Sequence, residues 1–571
     1  MIPLYDDKKK LLAQCLELIE ACRVSCGNRS AYARQLNSII ETGKQDGTKS
    51  LLNMLYRQVD RTASHLFSPT ELRFTIDFEN PYAKNILEMG HTAAKILTRD
   101  WERHNTDMTF SRGVFESLKF GACILKQWVE EEGKDRLPCY KRSLVMPWQF
   151  GVYREDMNDL DRQSAMCESF VLSLPEVWRR ICHLPNAQEL YKRIKTHANK
   201  GLGESQFNSY FHQVLSTSTL NVSQTGMIRP QPGGIVQLNN DPNYAIVGPD
   251  VAIDLCLMHE LWVQDENDYT TVQIIEPDVM IAPLYRRSNL LIPGDSHSKL
   301  HPYTLIQANE QQGYFWGRPE IADLIEPQGL LSVWADDTKR MFGLQIDKIL
   351  AFTGFDGLAD ETYDQMRAAG MFNMPPGAQV NDITPKMPPE TLKMLEFLQQ
   401  TINSLGGFDN MLSGKNEPGV RAGSHAQMMM RTASPTLRDR SLLLERQCAM
   451  AADLRLSLME AKDAHNYWTD GTNLETINKT SFRLADLPDD RRVAVDSHSS
   501  SPIFMDDNSQ LVVWGTANGV VDGHSAIDML PFTHKEILHQ RLREKEEREA
   551  ALIQQHPELL EQMAKHGGKK K

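Results

Sequence analysis

Phosphate-binding glycine loops, paired metal-binding cysteines, membrane-length apolar runs and any excess of positive charge are all missing from this sequence. The commonest nucleotide site ends in Gly-Lys-Ser/Thr, because its amides cradle phosphates and its hydroxyl reaches magnesium. Gly43-Lys44, Gly133-Lys134 and Gly414-Lys415 are followed instead by Gln45, Asp135 and Asn416, which argues against an intrinsic ATPase. The 9 cysteines, at 15, 22, 26, 123, 139, 167, 182, 256 and 448, are odd in number and nowhere spaced as Cys-x-x-Cys. They read as reduced thiols. Cys15, Cys22 and Cys26 fall on or near one predicted helix, where small core residues are the ordinary reading and a metal cluster the exceptional one. No stretch is a transmembrane candidate. Met1 to Lys10 lacks the apolar segment and cleavage site of a signal peptide, so synthesis in the cytoplasm is expected, with no membrane partner. The net charge of −13 and isoelectric point near 5.8 oppose a tight, sequence-independent grip on DNA through a broad basic surface.

What is present is the composition of a large globular protein. The chain has 571 residues, and at roughly 150 residues per domain this suggests about four lobes. A hydrophobic share of 41% against 24% charged residues excludes wholesale disorder. Apolar residues at three- and four-residue intervals predict helices over 8–24, 48–66, 81–104 and 109–119. Alternation predicts strands over 72–78, 122–129 and 139–153, the last two forming a hairpin. The stretch 175–201 reads as helix, 205–243 as a polar excursion, and 255–263 with 270–275 as two strands across an acidic turn. Up to about 315 the chain therefore reads as α+β.

Beyond Gly317 the pattern changes. Ile321, Leu324, Ile325, Leu331, Trp334, Ala335, Thr338, Met341 and Phe342 trace an apolar stripe at helical period, with Pro319 in the first turn and a kink expected at Pro327. A small insert follows, strand-like at 349–353, helical at 361–369 and extended and proline-rich over 371–389. A second amphipathic helix then carries Leu392, Leu395, Leu398, Ile402 and Leu405. Residues 406–424 form a glycine-rich loop bearing Lys415 and Arg421, and a long helical run to about 462 is expected to bend at Pro435. Strands at 479–484 and 491–496, helices at 508–518 and 524–530, and a charged helix over 534–565 complete the chain.

Catalytic signatures are weak. His259-Glu260 begins like a zinc-protease motif, but Val263 stands where the second histidine must be. No Gly-x-Ser-x-Gly elbow occurs. Asp156, Asp159 and Asp161, or Asp336 and Asp337, are the acidic groups from which a magnesium-dependent nuclease would have to be built, and solvated faces are the expected reading. Trp316, Trp334 and Met428 to Met430 invite comparison with a base-stacking platform, yet packing is the expected role.

What remains is an order of parts: an α+β body, a helix, a small β/α insert, a returning antiparallel helix, a glycine-rich basic loop, a long bent helix, more strands and a charged helical end. This order resembles the portal (head-to-tail connector) proteins of tailed bacteriophages. Gly313-Tyr314-Phe315-Trp316-Gly317-Arg318-Pro319-Glu320 running into a helix looks like the lead-in to a portal stem. His259-Glu260-Leu261-Trp262-Val263 with Asp268-Tyr269 is similar to wing strands of that family. The resemblance spans about 48–545 and leaves 205–243 unplaced.

The resemblance implies an α+β, portal-type protomer. Its parts would be a wing body at 1–317, a first stem helix at 318–344, a clip at 345–388 and a second stem helix at 389–405. A tunnel loop at 406–424, a long bent helix with wing strands at 425–505, and a helical crown with basic tail at 506–571 would follow. It also implies a homo-oligomeric ring, usually dodecameric, at one capsid vertex of the virion, assembled in the host cytoplasm. That ring would be a channel for packaging and ejecting double-stranded DNA, without cofactor, metal or catalytic residue. Its partners would be the large terminase, a tail adaptor, and the major capsid and scaffolding proteins. Ile321, Leu324, Ile325, Leu331 and Trp334 on the first stem helix and Leu392, Leu395, Leu398 and Ile402 on the second would provide packing faces. Lys415 and Arg421 would touch passing phosphates, and an acidic wall elsewhere suits a polymer that must slide. The competing readings are a metal-dependent DNA-processing enzyme and another capsid or tail adaptor scaffold.

Overall fold

The computed structural model describes residues 2–44, 49–132, 137–197, 255–280, 301–346, 349–353, 376–406, 435–463, 484–495 and 512–548, with short breaks inside several of these spans. In chain order it begins with α1 (Lys8–Arg23), α2 (Cys26–Thr42), α3 (Leu55–Leu66), β1 (Phe74–Phe78), α4 (Lys84–Arg103) and α5 (Thr106–Phe120). Then come β2 (Cys123–Glu132), β3 (Leu137–Val145), β4 (Phe150–Val152), β5 (Ala165–Ser173), α6 (Leu174–Ile181) and α7 (Ala187–His197). β6 (Leu255–Asp265), β7 (Asp268–Ile275), β8 (Val279–Met280) and β9 (Tyr303–Ile306) precede α8 (Ile325–Ile346), β10 (Leu350–Thr353), β11 (Gln379–Asp382) and α9 (Glu390–Leu405). The long α10 (Pro435–Asp463) and β12 (Arg491–Val495) follow. The fold is α+β.

The strands pair antiparallel. β2 sits between β3 and β9, with Ile124 opposite Val145 on one side and Lys126 opposite Tyr303 on the other. A five-stranded sheet runs β4-β5-β6-β7-β8. One of its faces is covered by α1, whose Leu11, Cys15, Leu18, Ile19 and Cys22 recur at helical spacing and pack on Cys167, Leu261, Val263, Val272 and Ile274. Its other face meets the β2–β9 sheet through Met166, Trp262, Tyr269, Tyr303 and Phe150. The largest core gathers α2 to α5, β1, β12 and α10, together with the beginning of α8 and the end of α9. Within it β1 pairs with β12, Ile76 opposite Val493, so chain segments more than 400 residues apart close one layer.

Several expectations need correction. The strand expected over 139–153 is two: Pro147 and the turn around it end β3, and β4 joins the other sheet. β5, the second strand of the larger sheet, was not expected, because Glu168 interrupts its apolar run. α2 was missed as well. Gly27, Asn28, Asn37 and Ser38 are poor helix formers, and burial of Ala33, Leu36, Ile39 and Ile40 overrides them. The helix expected from 48 begins only at Leu55, whose amide donates to Asn53 Oδ1 at 3.1 Å. The helix at 175–201 is divided near Pro185 into α6 and α7. No kink is required at Pro327, since α8 starts at Ile325 and a separate 3₁₀ turn (Glu320–Asp323) precedes it. Pro327 therefore lies in the first turn, where its missing N–H breaks no intrahelical bond. The polar excursion at 205–243, the helical part of the insert at 361–369, Met428 to Met430, the strand expected at 479–484 apart from Leu484, and residues beyond 548 lie outside the described residues. So does the chain before Pro435, and with it the expected bend.

Candidate functional site

The segment Gly313 to Glu320 is where the body hands the chain to α8, and its residues act as a lock. Gly317 has φ of +64°, and a Cβ there would stand 2.1 Å from Gln307 Nε2, so glycine is required. Gly121, at φ of +93°, lets the α5–β2 turn lie directly against the backbone of Trp316 and Gly317. Trp316 is buried: its Nε1–H donates to Glu155 Oε1 at 2.8 Å and the Arg29 guanidinium covers its ring at 4.0 Å. Glu320 accepts from Arg440 Nη1 at 2.9 Å, tying the start of the helix pair to α10.

The start of α8 and the end of α9 are then both fastened to one short stretch of the body. Gln328 Nε2 donates to Leu52 O at 2.7 Å, the Met54 amide donates to Gln328 Oε1 at 3.1 Å, and Ser332 Oγ donates to Gly43 O at 2.9 Å. At the other end, Gln58 Nε2 donates to Gly406 O at 3.0 Å. The start of α8 and the end of α9 are thus rooted side by side, so the packed helices run antiparallel. Their far ends are joined by the β10–β11 ladder, Leu350 opposite Asp382. At about 1.5 Å per residue, Ile346 stands some 21 Å beyond Ser332.

The apolar residues of α8 do not lie on one stripe. Leu331 and Ala335 are buried, with Gln328, Ser332 and Thr338 on the same side. Phe342 and Ile346 continue that side at four-residue steps, yet Ile346 is 77% exposed because the helix has outrun its support. Leu330, Val333 and Trp334 occupy a second, outward face, with Val333 57% exposed. A helix apolar on both sides is built to be covered on both sides.

The packing residues expected from the sequence divide accordingly. Ile321, Leu324, Leu331, Leu398 and Ile402 are buried inside the chain's own largest core, and Ile325 and Leu395 pack partly against it. Trp334 and Leu392 face outward instead, Leu392 at 52% exposure. Leu330 and Val333 were missed, although their presence between the stripe positions of an otherwise regular helix was the available signal. Lys415 and Arg421 lie outside the described residues.

Other residues singled out in the sequence have structural partners. His259 and Glu260 are on β6 and therefore point to opposite faces, unlike the helical zinc motif. His259 Nδ1 lies 2.7 Å from Ser169 Oγ, and burial, helped by Arg23, pushes its pKa down to about 3. Glu260 joins a buried node that spans the two sheets. Lys126 Nζ lies 2.5 Å from Glu168 Oε2 and 3.0 Å from Glu260 Oε1; Tyr303 O–H donates to Glu168 Oε2 at 2.8 Å and Trp262 Nε1–H to Glu260 Oε1 at 3.0 Å. Glu168 and Glu260 are direct cross-strand partners, a repulsive pair unless a cation faces them. Burial alone would lower the Lys126 pKa, but the two carboxylates outweigh it and hold it above its usual value. Burial likewise raises Glu260, and the Lys126 charge and hydrogen bonds overcome it. A charge inside each of three apolar strand runs was the sequence signal for this node.

Asp156 pairs with Arg154, Asp159 with Arg162, Asp161 with His301 and Asp336 with Lys44. No group of three or more His, Cys, Asp or Glu placed to hold a metal ion occurs among the described residues, and all the cysteines are free thiols. No described helix is long and apolar enough to cross a membrane.

No family model matches the chain, and no curated protein matches it. Among solved structures it is similar to a chain from the neck of the native GTA particle computed with C12 symmetry, at 12% identity and a TM-score of 0.38, covering 88% of this chain and 94% of that one. It is also similar to a chain from the neck of the empty GTA particle computed with C6 symmetry, at 12% identity and a TM-score of 0.35, covering 87% and 94%.

Proposed function

We propose that this chain is a portal protein of a tailed bacteriophage, a ring-forming conduit for double-stranded DNA and not an enzyme. The observation that carries the reading is the rooted α8–α9 pair, whose outward apolar face on α8, Leu330, Val333 and Trp334, is exposed among the described residues. Repeating copies around an axis would cover Leu330, Val333 and Trp334 with the neighbour's helices, and a heterologous contact that closes gives a ring. In this reading α8 and α9 are the stem and the β10–β11 insert is the clip that docks terminase and then the tail adaptor. The body to 317 is the wing, 425–505 adds a long helix and wing strands, and 506–571 forms the crown. The order of parts in the sequence and the lock at Gly313 to Glu320 support it.

Lys415 and Arg421 in the glycine-rich loop would make weak phosphate contacts, one pair per copy, as suits a moving polymer. Replacing both with alanine is expected to weaken DNA retention in filled particles while leaving rings intact; retention equal to the parent's would refute their role. The reading itself is tested by cryo-electron microscopy of the purified protein. Ring-shaped class averages with a hole wide enough for duplex DNA are expected, and a compact monomer or dimer under several salt conditions would overturn it.

A further inference from the structure

The α6–α7 pair is a basic island on an acidic protein. From Leu174 to His197 it carries Arg179, Arg180, Lys192, Arg193 and Lys195 against Glu176 and Glu189, in a chain whose net charge is −13. Its inner side is firmly seated, with Leu174, Val177, Ile181 and Ile194 packed on Leu172, Cys256, Met258 and Ile275. Part of the charge is used internally. Arg180 lies over the Phe170 ring at 5.6 Å, Arg193 pairs with Asp278, and Glu176 is held in the capping box with Ser173.

The outer side is different. Trp178, 39% exposed, meets Tyr191 edge to face at 5.2 Å. Together with Gln188 and Lys192 they line a shallow depression of about 360 Å³. Exposed Arg179 adjoins Trp178 in the chain, and exposed Lys195 is one turn along α7 from Lys192. An aromatic floor edged by cations is the arrangement in which one apolar anchor and its acidic flanks are bound together.

We propose that this surface docks an acidic segment of a partner protein, which places one apolar or aromatic side chain against Trp178 and Tyr191 and its carboxylates near Lys192, Lys195 and Arg179. Duplex DNA fits less well, because its bases are stacked inside and its phosphates need no aromatic floor. The inference does not depend on ring formation.

The test uses the full-length protein and fluorescence anisotropy with a short labelled peptide rich in Asp and Glu around a central Phe. A peptide with Ser in place of Phe and a duplex DNA of similar charge serve as comparison probes. Trp178→Ala and Lys192→Glu are both at exposed positions, and retained far-ultraviolet circular dichroism confirms their folding. The Phe peptide is expected to bind the parent, to lose roughly tenfold in affinity with either variant, and to outbind the Ser peptide. Absence of Phe-peptide binding overturns the inference. So does binding indifferent to the Phe and to Trp178, or DNA binding that exceeds peptide binding and responds only to Lys192→Glu.

Discussion

Lys126, Glu168, Glu260 and Tyr303 satisfy one another within a single chain, whereas Leu330, Val333 and Trp334 on α8 are left facing solvent by theirs. Removing Lys126 costs the first region heavily, because it leaves two buried carboxylates facing each other across the strands. The second costs a lone protomer little and is where another copy would add stability. Two kinds of damage follow: damage to the protomer and damage to the assembly.

The largest effect expected on the protomer is at the buried node. Lys126→Met keeps the chain length but leaves two opposed carboxylates buried without a cation, a loss of about 3–5 kcal/mol. Denaturant unfolding measures it. A loss under about 1 kcal/mol would mean that the node is better hydrated than its burial indicates. At the root of the helix pair, Leu331→Ala or Ile402→Ala should cost about 2–5 kcal/mol by opening a cavity in the largest core. These two substitutions sharpen the contrast with the outward face only a turn away.

Buried His259 predicts a smaller and pH-dependent effect. With its folded pKa near 3 and an unfolded value near 6.5, the unfolded chain binds the extra proton between those limits. Its contribution is therefore complete above pH 6.5 and declines as pH falls toward 3. Between pH 6.5 and 5 the parent should lose about 1.6 kcal/mol that His259→Gln does not lose. Parallel pH profiles for the two proteins would contradict this. The smallest effect belongs to Trp334→Ala, expected to change protomer stability by no more than about 0.5 kcal/mol.

The layout of elements was legible where apolar period and turn chemistry agreed, as in α1, the β2–β3 hairpin, β6 with β7, and α9. It failed where tertiary contacts outweighed local preference. α2 is held by the core against its own glycine and asparagines, and Glu168 makes sense in β5 only when Lys126 stands opposite. The helix pair was legible as two apolar helices around an insert, but a single-stripe reading merged two faces that do different work. The faces separate only when Gln328, Ser332 and Gln58 fix which side of α8 and which end of α9 touch the body.

The most direct test of the account is native mass spectrometry of the parent beside Val333→Glu with Trp334→Glu, with unfolding of both followed in denaturant. The account predicts a high-order homo-oligomer for the parent, dissociation in the double variant, and a variant protomer of nearly parental stability. An oligomer that survives both charges, or a parent that is monomeric, would contradict the claim that the outward face of α8 is covered by a neighbouring copy.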